Sequence, residues 1–120
     1  MENTASRWFR RVIWLGILAN LALAVPTLLA TERTITWSGL PPATPLVWPR
    51  FAALLLILLS FFYVPAGIDT TRYRAVAWLA VLARLAGVVF FLIFQAPEYR
   101  LLGYFDLLFF VPELALLLTL

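Results

Sequence analysis

The sequence predicts an all-α integral membrane protein, a four-transmembrane-helix bundle of up-down topology with its N and C termini cytoplasmic. Three observations carry this expectation. Hydrophobic residues fill 64% of the 120 positions and charged residues 12%, against roughly 25% charge in soluble domains. A soluble chain this short cannot hide so much apolar surface in one core, so lipid must act as the solvent. The apolar residues gather into four stretches, 12–30, 51–68, 75–94 and 101–120, each close to the ~20 residues that cross ~30 Å of hydrocarbon. None alternates as a membrane strand does, and a segment in lipid must satisfy its own backbone, so each stretch reads as a helix within a single membrane domain, 1–120.

The first stretch, Val12 to Ala30, contains no charge. Arg10 and Arg11 before it and Ala22-Leu23-Ala24 within it imitate a signal peptide, but the apolar run continues to Ala30, so it is expected to remain as a helix. The connection 31–49 is the one sizeable loop. It is expected to be extracytoplasmic and irregular because of Pro41, Pro42, Pro45 and Pro49, with Thr34 to Trp37 able to pair as a short strand. The second stretch, Phe51 to Ile68, carries Pro65 near its end, where a missing N–H matters little. The turn Asp69 to Arg74 begins with an acid placed to cap the third helix, 75–94. Pro97, Glu98 and Arg100 make a tight turn, and the fourth stretch holds Pro112, which is expected to free a carbonyl near Leu108 and bend the helix.

Orientation follows from arginine, which supplies all nine basic residues. Arg7, Arg10, Arg11, Arg72 and Arg74 fall on one side, and Arg33, Arg50 and Arg100 on the other, which puts both termini inside. Trp8, Phe9, Tyr73 and Trp78 fit the inner interface, and Trp48, Tyr99 and Tyr104 the outer one. The net charge of +3 thus reads as a topology signal rather than a nucleic-acid patch. Arg10, Arg11, Arg72, Arg74, Trp37 and Trp48 are the candidates for lipid or partner contact.

One polar layer stands out. At ~1.5 Å per residue Arg84 lies ~15 Å from Arg74, and Glu113 ~20 Å from Arg100 on the opposite side, so their depths coincide near mid-bilayer. Asn20 and Ser60 fall at similar depth. A buried charge needs a partner and satisfied donors, which predicts an Arg84–Glu113 ion pair completed by Asn20 and Ser60. Ala77, Ala80, Arg84 and Gly87 share one helical stripe, and Gly16, Asn20 and Ala24 another, with small residues letting backbones approach. Asp106 faces the same way as Glu113, one heptad earlier.

Absences narrow the chemistry. Without Cys there is no disulfide, thiolate nucleophile or iron–sulfur ligand, and without His the usual haem and transition-metal ligand is missing. No metal site, no cofactor and no catalytic residue is expected, since no base–nucleophile spacing is recognisable. In size and topology the chain resembles small bacterial four-span families such as the DoxX-like proteins and the small multidrug resistance transporters. The transporters rely on a glutamate in the first span, and Val12 to Ala30 holds no acid; no family is assigned.

The primary expectation is therefore a non-enzymatic accessory or structural subunit of a larger membrane complex, respiratory or photosynthetic in kind, in a bacterial inner membrane. Its partners would be lipids and other membrane subunits. The alternative is a small homo-oligomeric transporter or lipid-binding protein working through Arg84, Asp106 and Glu113.

Overall fold

A computed structural model describes residues 4–42 and 44–119. Among these residues every regular element is helical: α1 (Thr4–Leu29), α2 (Thr31–Trp37), α3 (Val47–Phe62), α4 (Val64–Ile68), α5 (Arg74–Val89) and α6 (Arg100–Leu118). A π-helical turn, Phe90–Phe94, prolongs α5, and a 3-10 turn, Pro97–Tyr99, leads into α6. Three helical stretches, Thr4–Leu29, Arg74–Phe94 and Pro97–Leu118, are long and apolar enough to cross a membrane. The 16-residue α3 is shorter, so the stretch expected as one helix over 51–68 is built differently.

The break in that stretch has a local cause. Pro65 has no N–H to return to Phe61, and its ring disfavours helical backbone at the preceding residue. The helix therefore stops at Phe62, passes through Tyr63 and restarts as α4 with Pro65 in its first turn. Pro65 thus matters more than its position near the end of the stretch implied. Pro112, by contrast, lies inside an unbroken α6.

Two further expectations are corrected. The segment Thr34 to Trp37 is not a strand: it lies in the helical α2, where Thr31 and Thr36 satisfy their hydroxyls on the carbonyls of Thr27 and Glu32 one turn back, at 2.7 and 2.9 Å. The proline-rich character begins only beyond it. Asp69 does not cap α5, whose first turn has no side-chain cap. It accepts the backbone N–H of Arg72 at 3.2 Å and closes the turn itself. The α1 helix also begins earlier than expected, so Arg7, Arg10 and Arg11 stand on its first turns.

Packing is unequal along the molecule, which measures 50 × 27 × 19 Å. At the end where α1 begins, Phe9, Ile13 and Ile17 meet Tyr63 and Ala66, Ala77, Ala80 and Val81 of α5, and Leu117 of α6 in one apolar core. The short α4 closes this ring by touching both α1 and α5. Trp14 donates its indole N–H to the carbonyl of Gly67 at 2.9 Å, and a Cβ at Gly67 would press into that ring. Toward the other end α3 stays packed on α1 but makes no substantial contact with α5 or α6. A gap opens there between α3 and α6.

The distribution of polarity is that of a lipid-embedded chain. Large apolar side chains such as Leu15, Leu18, Leu79, Ile93 and Leu108 point outward, while Asn20, Ser60, Arg84 and Glu113 are buried. Water would favour the reverse arrangement, because exposed apolar surface costs ~25 cal/mol per Å².

Candidate functional site

The site begins with a helix surface stripped of bulk. Ala77 and Ala80 are fully buried two turns and one turn before Arg84 on α5, so α6 can approach closely and Arg84 is directed into the bundle rather than toward lipid. Gly87, one turn further on, removes the last obstacle. A Cβ there would collide with the carboxylate of Asp106, which lies across the groove from α6.

Arg84 is 4% exposed and engages two helices. Its Nη1 donates to Asp106 Oδ1 at 2.9 Å, forming an ion pair, and its Nη2 donates to the main-chain carbonyl of Gly16 on α1 at 3.4 Å. The guanidinium also lies over the rings of Phe109 and Phe105, with its central carbon 4.8 and 5.4 Å from their centroids. Such stacking attracts a desolvated cation by roughly 2 kcal/mol. Gly16 eases this approach, since a Cβ there would stand 3.0 Å from Nη2, closer than ordinary van der Waals contact.

The expected Arg84–Glu113 pair is corrected: the carboxylate bonded to Arg84 is that of Asp106. Glu113 is buried near Gly16 and Arg84, with Oε2 lacking a hydrogen-bond partner. Ser60 does not complete the pair either; its hydroxyl donates to Leu56 O at 2.8 Å inside α3. Asn20 is buried with Oδ1 unpartnered. The structure thus joins Arg84 directly to Asp106, keeps Glu113 beside them, and sets Asn20 and Ser60 at their own helices' buried faces.

Asn20 and Asp106 have a further setting in common. Both line a cleft of about 420 Å³ that fills the gap between α1, α3 and α6, a size within the range of ~300–1,000 Å³ typical of small-molecule sites. Leu23, Leu56, Leu102 and Phe105 are among its apolar walls, and α2 with Leu40 and Pro41 borders its outer end. The hydrogen bond from Arg50 Nε to Thr31 Oγ1, 3.0 Å, fastens the start of α3 to α2 at that end.

The remaining candidates lie at the two ends. Arg10 donates to Ile68 O at 3.1 Å, Arg11 stacks on Trp8 at 4.8 Å, and Arg72 stacks on Tyr73 at 5.3 Å. Arg74 opens α5 and is exposed. Trp37 and Trp48 are exposed at the opposite end, near the cleft. Among the described residues no cluster of acids has the form of a metal site.

Sequence reasoning missed Phe105, Phe109, the Gly16 carbonyl and the cleft. A signal for Phe109 existed, because it falls on the helical stripe that joins Asp106 to Glu113. A main-chain acceptor leaves no such trace. Comparison with protein-family models, with curated proteins and with solved structures finds no match for this chain.

Proposed function

We propose that this chain crosses a bacterial inner membrane four times, with both termini cytoplasmic, and that it binds a small amphiphile in the cleft between α1, α3 and α6. The fourth crossing would be α3 and α4 in series, Val47 to Ile68, which reach roughly 33 Å at 1.5 Å per residue despite the break at Tyr63. The arginine bias supports the orientation. The observation that carries the binding reading is the cleft itself: apolar walls with the buried Asn20 and the half-buried Asp106 at its polar lining. A purely structural clasp would account for the Arg84–Asp106 pair but not for a cavity beside it.

The test is extraction of protein purified in mild detergent, with mass spectrometry of the bound small molecules. A small amphiphile should be recovered in fixed ratio with the native protein and be lost from Leu56→Trp, which fills the cleft. Recovery of bulk membrane lipids alone, unchanged by that substitution, would sink the reading. A second reading, the non-catalytic accessory subunit, draws support from Trp37 and Trp48, which stand 87% and 66% exposed beside the cleft's outer end. It requires co-purification in fixed stoichiometry with larger subunits; isolation as a stable monomer from native membranes would contradict it.

A further inference from the structure

The charge lining the cleft is of one sign. Asp106 is its single charged residue among the described residues, Thr27, Thr34, Ser38 and Tyr99 add hydroxyls, and the buried Asn20 borders the same space. The cation that balances Asp106 is withheld from the cavity. Arg84 does not line it: Nη1 is directed to Asp106, Nη2 to Gly16 O, and Nε is fully buried. A second carboxylate, Glu113, lies behind on the same helix without an ion-pair partner among the described residues. An entering polar group therefore meets hydroxyls and one carboxylate, with no cation among the lining residues.

Resting on the cleft-binding reading, we infer that the occupant is a single-chain amphiphile whose polar end donates hydrogen bonds and carries no negative charge, a long-chain alcohol being its simplest form. A hydroxyl can donate to Asp106, while its chain lies along Leu23, Leu56, Leu102 and Phe105. A fatty carboxylate of the same length is disfavoured, because it would set an anion against Asp106 in a medium of low dielectric with the guanidinium out of reach. Entry would be sideways from the bilayer, since α3 leaves the gap toward α6 unclosed by helix contacts.

Full-length protein in lipid nanodiscs, exposed to a photoreactive long-chain alcohol or to the photoreactive fatty acid of matching length, tests this by mapping of the labelled peptides. The alcohol should label cleft-lining residues roughly tenfold more than the acid at neutral pH. Asp106→Asn should raise the acid toward the alcohol's level, and Leu56→Trp should abolish labelling by both. Competition on the unmodified protein removes dependence on any variant's folding: unlabelled alcohol should displace the probe and unlabelled fatty acid should not. Equal or stronger cleft labelling by the acid overturns the ligand class while leaving an occupied cleft. Absence of cleft labelling by either probe overturns the binding reading as well.

Discussion

Arg84 divides its N–H groups between an acid on one neighbouring helix and a main-chain carbonyl on another, with two phenyl rings beneath it. Removing one member of a buried pair leaves the other charged and unmatched, at a cost of ~3–5 kcal/mol, whereas replacing both by apolar groups is often neutral. Arg84→Leu should accordingly destabilise the protein by that order, and Arg84→Leu with Asp106→Leu should recover most of the loss, as read by reversible unfolding in mixed micelles. Gly87→Ala should also destabilise, by roughly 1–3 kcal/mol, because its methyl would displace the Asp106 carboxylate from its place against α5; thermal melting in detergent checks it. The ionisable residues of this cluster were legible in the sequence because charges stand out in apolar runs. Which acid pairs with Arg84 was not, since Asp106 and Glu113 share one stripe and both lie within reach. The choice depends on the register between α5 and α6 and on the missing side chain at Gly87, neither of which the order of residues displays.

Among the elements, α2 shows how threonine behaves when water is scarce. Thr36 donates to Glu32 O within α2 and Thr31 reaches back to α1, so polar residues that read as a loop or strand satisfy their hydroxyls while helical backbone resumes past Leu29. Thr31 serves twice, donating to Thr27 O and accepting from Arg50 Nε. Thr31→Val should remove about 1 kcal/mol of local stability and give several-fold faster amide exchange over 31–37, with little change in α5. Unaltered exchange there would show that the tie does not hold α2. The long apolar helices were plain from composition and run length, and the 3-10 turn at Pro97 from its proline. The α3–α4 break was not, because Pro65 acts on the residues before it, and a run judged by hydropathy passes over that effect.

For the molecule as a whole, burial of polar groups inside an apolar exterior makes a bilayer the medium in which its faces can be located. The chain contains no cysteine, so single cysteines report without background. Trp37→Cys and Arg72→Cys, both at exposed positions near opposite ends, should be labelled by a membrane-impermeant maleimide from opposite faces, with Arg72→Cys reached only from the cytoplasmic side. Labelling of both from one face would end the four-crossing arrangement. The two ends also differ in how firmly they are held. One is a contiguous apolar core from Phe9 to Leu117 tied by Trp14 to Gly67, and the other rests on a few hydroxyl bonds around a hollow. Melting should therefore start beside Thr31 and Tyr99 and travel down the rods. The knot of Phe9, Ala66 and Ala77 would be the last structure to come apart, well after the hollow has lost its shape.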